Sequence, residues 1–207
     1  MIVPGRVLGA EAPSRQITFA FVGVGGMGQA NMDRVLKLRD RGARIVAVCD
    51  VDRIHARAAA AKAEAAQGER GVFVTGDFRE VTRREGVDAV VISTPDHWHA
   101  LTALDAIRHG KDVFVEKPLT HSIEEGRVLV AELRARGRVG QHGTMQRSDG
   151  SFRYVAELIR AGGLGRIERI EVRIPANNMY CGATWTPEPV PEGLDYDFWL
   201  GPAPWAP

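Results

Sequence analysis

A glycine-rich turn between an apolar run and a helical segment constrains the fold most. The run Ile17–Gly23 (ITFAFVG) predicts a buried strand, and residues 27–41 carry apolar side chains at helical spacing. The turn between them is Gly23-Val24-Gly25-Gly26-Met27-Gly28, which fits the pattern G-x-G-x-x-G. In a strand–turn–helix unit this pattern presents free N–H groups and the positive end of the helix dipole to a phosphate. The turn therefore predicts a dinucleotide site in an α/β fold.

Each glycine of the turn has a separate expected role. Gly23 allows the tight turn, Gly25 allows the backbone to approach a pyrophosphate closely, and Gly28 allows the helix to pack against the strand. The alternative is that the glycines serve a tight turn that holds no ligand. The strand–turn–helix context and the acidic residue after the next strand favour the dinucleotide site.

Apolar runs alternate with helical segments as far as residue 147. Strands are predicted at 43–50, 72–76, 87–94, 111–118 and 138–144, and helices at 53–67, 77–85, 97–110 and 123–137. Asp77 and Ser122 are candidate N-caps, and Gly42, Gly68 and Gly110 are candidate helix ends. This alternation is typical of a doubly wound parallel sheet with right-handed crossovers.

The alternation of strand-like and helical segments ends at about residue 148. A further helix is predicted at 149–165, with Asp149 or Ser151 near its start. Residues 166–176 (RIERIEVRIPA) then alternate apolar and charged side chains, which predicts the first strand of an open, largely antiparallel sheet. The expected domains are an irregular lead-in at 1–16, a Rossmann domain at 17–147, and the beginning of an incomplete α/β domain at 148–207. The last residues (WLGPAPWAP) are loop-like, with aromatic side chains that would normally pack against another part of the molecule.

An acidic residue ends the second predicted strand. The carboxylate of Asp50 can accept hydrogen bonds from both ribose hydroxyls, and it would repel a 2′-phosphate. Asp50 therefore favours NAD over NADP. Arg53 lies three residues further on and could hold a 2′-phosphate, although a solvated residue in the first helical turn is the simpler interpretation.

The stretch Thr94-Pro95-Asp96-His97-Trp98-His99 (TPDHWH) follows the fourth strand, at the edge where doubly wound folds bind ligands. Spacing of two places His97 and His99 on different faces of a helix, and no cysteine or glutamate cluster is nearby, so we expect no metal site. Two interpretations remain. Either Asp96 caps the helix and one histidine packs beneath it, or Thr94 and Pro95 shape a loop against the cofactor.

The stretch Glu116-Lys117-Pro118 ends the fifth strand. A lysine beside the cofactor crevice is a candidate functional cation. Glu116 is expected either to pair with Lys117 or to contact the nicotinamide ribose, and the bond before Pro118 is a candidate cis peptide. For a lone Glu-Lys pair, a surface ion pair would be the default interpretation.

Composition excludes several classes of protein. Of the 207 residues, 44% are hydrophobic and 26% charged, the net charge is +1, and no apolar run reaches the length of a membrane-spanning helix. We therefore expect neither a nucleic-acid nor a membrane partner. Two cysteines, Cys49 and Cys181, form neither a disulfide framework nor a structural zinc site.

Three motifs in this order and spacing, GVGGMG, CDVD and STPDHWHALTALDAIRHGKDVFVEKPL, resemble the Gfo/Idh/MocA oxidoreductases over residues 17–147. The pattern TPxxxH…GKxVxxEKP is its most specific part. The stretches DHWHA and TMQRS look like a bacterial branch that is often exported with a twin-arginine signal. The lead-in VPGRVLGAEAPS resembles the segment that follows such a signal. We therefore expect a cytoplasmic protein as the chain is written, and a periplasmic one if the signal lies upstream of this start.

The resemblance implies a Rossmann domain followed by an α/β domain that carries the substrate. It implies NAD as cofactor, a sugar, inositol or related polyol as substrate, and a homo-oligomer at full length. Lys117 matches the catalytic lysine of EKP, whose ammonium would stabilise negative charge developing on the reacting oxygen. His99 matches the histidine of TPxxxH, and Gln146 and Arg147 match positions near the nicotinamide. Thr94, Pro95, His97 and Glu116 are expected in the wall of the cofactor pocket.

Three functions are then open. The first is a dehydrogenase that transfers a hydride between NAD and a hydroxyl-bearing carbon of a sugar or polyol. The second is a glycosidase that oxidises the sugar transiently with NAD, as some relatives do. The third is an NAD-binding fragment without catalysis, because members of the family run to well over 300 residues and the expected partners of Lys117 in proton transfer lie beyond residue 207.

Overall fold

The computed structural model describes residues 16–174 and 186–205. These residues form two units, one of residues 16–143 with 190–205 and the other of residues 144–174 with 186–189. The sequence-based division placed everything after residue 147 in the second domain, whereas the structure packs residues 190–205 with the first unit. The expected irregular lead-in, up to residue 15, and Cys181 lie outside the described residues.

Six parallel strands form the single sheet of the described chain. They are β1 Ile17–Val22, β2 Ala43–Cys49, β3 Phe73–Thr75, β4 Ala89–Ile92, β5 Asp112–Glu116 and β6 Gly140–Gly143. Their spatial order is β3-β2-β1-β4-β5-β6, which is the Rossmann order. The predicted parallel sheet is therefore confirmed, and its direction of growth reverses between β1 and β4.

Helices cover both faces of the sheet. They are α1 Gly26–Leu36, α2 Arg53–Gln67, α3 Phe78–Thr82, α4 His99–Arg108 and α5 Ile123–Arg136. Alternate residues of β1 serve opposite faces, so that Phe21 packs in one apolar cluster with residues of α1 and α2, while Ala20 and Val22 pack in another with residues of α3, α4 and α5. These two cores hold the carboxyl ends of the strands in place.

Several predicted helix ends are confirmed. Asp77 accepts a hydrogen bond from the Arg79 N–H at 2.9 Å, and Ser122 forms a reciprocal capping box with Glu125. Gly68 ends α2 in the left-handed conformation. The helix predicted at 27–41 is shorter than expected, because α1 ends at Leu36 and a 3-10 turn at Arg39–Arg41 leads to Gly42. The prediction that Asp96 caps a helix is wrong, since residues Asp96–Trp98 form a 3-10 turn without a side-chain cap.

The second unit contains a 3-10 turn, Met145–Ser148, and α6 Gly150–Arg160. Asp149 caps α6 by accepting from the N–H groups of Ser151 and Phe152. Residues 167–174 pair with no strand in the described part of the chain, so the antiparallel sheet expected from residues 166–176 is not formed there. Alternation of apolar and charged side chains does not by itself form a strand, because a strand also needs a neighbour to pair with.

A last short helix, α7 Tyr196–Leu200, belongs to the first unit and follows an isolated bridge between Asp52 and Leu194. No helix among the described residues is long and apolar enough to cross a membrane.

Candidate nucleotide-binding site

A cleft of about 360 Å³ opens at the carboxyl ends of the strands, where β1 and β4 meet. This is the place where open α/β sheets bind ligands. Its walls come from the glycine turn, from the loops after β2 and β4, and from the segment around α7. The lining residues include Gly23, Gly25, Asp50, Val51, Asp52, Thr94, Pro95, Trp98, Thr102, Leu194, Phe198 and Trp199.

The glycines of the turn have the geometry that a dinucleotide needs. Gly23 has φ +79°, and a Cβ there would lie 2.6 Å from the Ser93 carbonyl oxygen. A Cβ on Gly28 would overlap the Gly23 carbonyl oxygen, so α1 sits directly against the turn. A Cβ on Gly25 would meet no atom within 4 Å. The space above Gly25 is therefore open to a phosphate, and it is bounded by the first turn of α1.

The Asp50 carboxylate is fixed at the edge of this space. Its Oδ2 accepts a hydrogen bond from the Val24 N–H at 2.8 Å, and its Oδ1 accepts from the Asp52 N–H at 2.9 Å. Each oxygen keeps a free lone pair, so the carboxylate can still accept hydrogen bonds from ribose hydroxyls. The glycine turn, the loop after β2 and the acidic residue are thus locked together, as an NAD site requires.

Thr94 and Pro95 line the opposite wall of the cleft. Among the described residues, the buried hydroxyls of Thr94 and Thr102 have no hydrogen-bond partner. These two hydroxyl oxygens are closed to a ligand in the cleft, so the fit to a dinucleotide rests on the open space at Gly25 and on the Asp50 carboxylate. The residues present therefore fit a dinucleotide.

The two histidines of the loop after β4, His97 and His99, contact backbone carbonyls of other loops. His99 is buried, with Nδ1 at 2.5 Å from the Pro118 carbonyl oxygen and Nε2 at 2.9 Å from the Thr94 carbonyl oxygen. It therefore ties the loop after β4 to the loop after β5. His97 directs Nε2 at the Trp199 carbonyl oxygen, 3.0 Å away. Neither ring is among those that line the cleft.

Glu116 is buried at the end of β5, on the side of α1. Its Oε1 accepts a hydrogen bond from Asn31 Nδ2 at 2.9 Å, and its Oε2 accepts from the Lys117 backbone N–H at 3.2 Å. Asn31 also donates to Ser93 Oγ at 3.2 Å. The Glu116 carboxylate thus connects α1 with the ends of β4 and β5.

Lys117 is exposed and follows β5 directly, and its peptide bond to Pro118 is cis, as predicted. Parallel strands end at one edge, so Lys117 and Asp50 lie at the same edge of the sheet, separated by three inter-strand spacings or about 14 Å. An extended dinucleotide bridges such a distance. Gln146 and Arg147 lie on the exposed 3-10 turn of the second unit.

Cys49 is the free cysteine of the described residues, and its thiol lies in the wall of the cleft. Burial, and secondarily the Asp50 carboxylate, raise the pKa of this thiol well above its usual range. Cys49 is therefore a neutral, unreactive wall residue. Within residues 16–174 and 186–205, no three histidine, cysteine, aspartate or glutamate side chains gather as metal ligands would.

Sequence reasoning missed the aromatic part of the cleft. It is lined by four aromatic residues, Phe78, Trp98, Phe198 and Trp199. The aromatic residues of the tail were the only signal in the sequence, and they did not indicate what they pack against.

These features define a nucleotide-binding Rossmann domain of the kind found in oxidoreductases. The family model GFO_IDH_MocA, described as an oxidoreductase family with an NAD-binding Rossmann fold, matches residues 17–144. The chain belongs to this family.

Individual proteins of known name that are similar to this chain include dehydrogenases of inositols. Inositol 2-dehydrogenase 1 of Saccharopolyspora erythraea is 39% identical over 147 residues, which are 70% of this chain and 42% of that protein. The crystal structure of scyllo-inositol dehydrogenase from Lactobacillus casei, with bound NAD(H) and scyllo-inositol, matches with a TM-score of 0.63 and 27% identity, over 72% of this chain and 42% of that one. An α-N-acetylgalactosaminidase of Shewanella oneidensis is 33% identical over 123 residues, 58% of this chain and 26% of that protein.

The chain thus spans less than half the length of the curated inositol dehydrogenases that it matches. The similarity covers the nucleotide-binding domain, so it gives no information about substrate specificity.

Proposed function

We propose that this chain is the NAD-binding part of an oxidoreductase that acts on a CH–OH group of a sugar, an inositol or a related polyol. The observation that carries the proposal is the Asp50 carboxylate, held by the Val24 and Asp52 N–H groups beside the open space at Gly25. Ribose hydroxyls and a pyrophosphate fit this arrangement. The names of the relatives supply the class of substrate.

The chain's own residues have distinct roles in this proposal. The backbone at Gly25 and Gly26 holds the pyrophosphate, Asp50 holds the adenosine ribose, and Thr94 and Pro95 bound the cleft. Lys117 hydrogen-bonds the substrate hydroxyl and stabilises negative charge as it develops on that oxygen. His99 keeps the loops that carry Thr94 and Lys117 in register. NAD supplies the redox chemistry when it is bound, because its nicotinamide accepts a hydride.

Calorimetric titration of the 207-residue chain with NAD and NADP tests the nucleotide site. We expect NAD to bind more tightly than NADP, and Asp50→Ala or Gly25→Val to abolish NAD binding in a folded protein. Asp40→Ala is the matched control, because its carboxylate is 89% exposed and does not line the cleft. A folded wild-type chain that binds neither dinucleotide would overturn the proposal.

A glycosidase that uses NAD transiently is the second candidate, favoured by the similarity to the α-N-acetylgalactosaminidase. Incubation with NAD and a panel of inositols, sugars and aryl glycosides distinguishes the two. A dehydrogenase accumulates NADH with a polyol, and Lys117→Met removes that activity without changing NAD affinity. A glycosidase releases the aglycone with no net NADH. NAD binding without either reaction favours a nucleotide-binding chain without catalysis of its own.

A further inference from the structure

A side chain of α1 reaches back to the backbone of the glycine turn. Gln29 lies near the start of α1, and its Nε2 donates a hydrogen bond to the Val24 carbonyl at 3.1 Å. The N–H of the same Val24 donates to Asp50 Oδ2 at 2.8 Å. Both polar backbone groups of Val24 are therefore held by side chains, one from α1 and one from the loop after β2.

Fixing the Val24 carbonyl also fixes the direction of the next N–H group. The peptide bond between Val24 and Gly25 is trans. A trans peptide is planar, and its C=O and N–H point in opposite directions. The hydrogen bond from Gln29 therefore turns the Gly25 N–H away from the Gln29 side chain. Gly25 lines the cleft and Gln29 does not, so this N–H is left on the side of the cleft.

A lysine of α2 determines which end of the Gln29 amide faces the turn. Lys62 Nζ donates to Gln29 Oε1 at 3.0 Å and pairs with Asp33 Oδ1 at 2.6 Å. An ammonium only donates and a backbone carbonyl only accepts, so the amide oxygen has to face Lys62 and the amide nitrogen has to face Val24. Donation to the amide oxygen also strengthens donation from the amide nitrogen. A glutamate of the same shape would keep the acceptor but lose the donor.

We propose that Gln29 is a positioning residue of the nucleotide site, which orients the backbone of the glycine turn towards the pyrophosphate, and that Lys62 acts through Gln29. This inference rests on the proposed function, in which the backbone at Gly25 and Gly26 holds the pyrophosphate. The direction of the Gly25 N–H is set before NAD binds, so the turn does not have to reorganise when the phosphates arrive, and binding is tighter. The pattern G-x-G-x-x-G ends at Gly28 and includes neither side chain.

Gln29→Glu tests the orientation, because it keeps the shape and the contact with Lys62 while it removes the donor that faces Val24. Gln67→Glu is the matched control. Gln67 Nε2 also donates to a backbone carbonyl, that of Ile45 at 3.1 Å, its Oε1 also accepts a hydrogen bond, and both glutamines are half-buried. Each substitution should lower the free energy of unfolding. Only Gln29→Glu should weaken the binding of NAD and of ADP, by about tenfold in calorimetric titration.

Adenosine and a second variant separate orientation from other effects on the cleft. Adenosine has the ribose that Asp50 holds but no phosphate, so Gln29→Glu should not change its binding. A carboxylate at this position would also repel phosphates by its charge, whereas Gln29→Met removes both hydrogen bonds without adding a charge. We expect Gln29→Met to weaken ADP by about fivefold, as loss of one hydrogen bond does. This variant also keeps the inference testable if Gln29→Glu does not fold.

Lys62→Met tests whether Lys62 acts through Gln29. Alone, it should weaken ADP by about threefold, because the Gln29 amide loses the donor that orients it. The double variant Gln29→Met with Lys62→Met should bind ADP as Gln29→Met alone does, since the two residues then act as one unit. Additive losses would mean that Lys62 attracts the phosphates directly by its charge, and they would overturn its role through Gln29.

The outcomes separate the inference from the proposed function. If the wild-type chain binds NAD and both Gln29 variants bind NAD and ADP equally well, the positioning role is overturned while the nucleotide site stands. If the Gln29 variants weaken adenosine as much as ADP, or if Gln67→Glu weakens ADP as much as Gln29→Glu does, the effect is not on the phosphates and the inference is also overturned. If the wild-type chain is folded and binds no dinucleotide, the proposed function fails, and this inference fails with it.

Discussion

The two sides of the nucleotide cleft are built from the chain in different ways. The glycine side consists of residues 23–28 with Asp50, and its shape is set mainly by backbone atoms. The aromatic side consists of Phe78, Trp98 and residues 194–199, whose contacts join side chains as far apart in the sequence as Phe78 and Phe198. The glycine side is thus specified by one short stretch, whereas the aromatic side depends on the folded chain.

Gly28→Ala should give the largest effect on stability. The added Cβ would overlap the Gly23 carbonyl oxygen, and neither backbone can move without opening the contact between α1 and β1. We expect a loss of about 3 kcal/mol in the free energy of unfolding, measured with urea. Gly26→Ala is the control, because its Cβ would meet no atom within 4 Å, and a change below about 0.5 kcal/mol is expected. Equal effects of the two substitutions would contradict the packing role of Gly28.

Phe198→Ala should give the next largest effect and should act on the aromatic side alone. Its ring packs on Phe78 and Trp98, and the Arg79 guanidinium carbon lies 5.6 Å from its centre. Since the ring is only partly buried, we expect a loss of about 2 kcal/mol on unfolding. Phe152→Ala, which removes a ring that is 59% exposed on α6, should cost much less. If Phe198→Ala leaves stability unchanged, the tail does not contribute to the fold of the first unit.

The difference between the two sides explains what the sequence could and could not predict. The turn, the Asp77 and Ser122 caps and the six strands follow from neighbouring residues. The cis bond before Pro118 was only a candidate, because proline lowers the preference for trans without reversing it. The helix after β1 was predicted to end at residue 41, whereas α1 ends at Leu36, because the apolar spacing continues through a segment that the structure closes as a 3-10 turn.

Features that depend on distant contacts were not predicted. His97 was expected in the wall of the cofactor pocket, whereas in the structure its Nε2 meets the carbonyl of Trp199, which local periodicity cannot indicate. Residues 167–174 alternate like a strand but lack a partner in the described chain. The contact that positions His97 is with a residue far away in the sequence, and periodicity within a short window cannot reveal it. The pairing that residues 167–174 would need as a strand is likewise not encoded in their own alternation.

Trp98→Phe tests whether the loop after β4 stabilises residues 194–199 through the hydrogen bond from Trp98 to the Trp199 carbonyl. The substitution keeps an aromatic ring but removes the indole N–H that donates to the Trp199 carbonyl. We expect a loss of about 1 kcal/mol on unfolding, because His97 still faces the same carbonyl. The double variant His97→Phe with Trp98→Phe should lose more than the sum of the single losses, since the Trp199 carbonyl then keeps neither of these two side-chain partners. Strict additivity would show that the two side chains do not share this oxygen.

Lowering the pH should have the smallest effect on the free energy of unfolding. It should destabilise the aromatic side by protonating Asp77. This carboxylate caps α3, the helix that begins with Phe78, and hydrogen bonds from Arg79 lower the pKa of Asp77 below its usual range. A carboxyl group whose pKa is lowered on folding stabilises the fold above its unfolded pKa of about 3.9, and the contribution is lost as the pH falls through the folded pKa. We therefore expect Asp77→Asn to destabilise by less than about 1 kcal/mol at pH 7 and to differ little from the wild type near pH 2. Asp40→Asn, at a carboxylate that is 89% exposed, should match the wild type at both pH values in urea unfolding. A destabilisation by Asp77→Asn that is as large at pH 2 as at pH 7 would mean that the charge of Asp77 does not stabilise α3, and that the aromatic side is held by its rings alone.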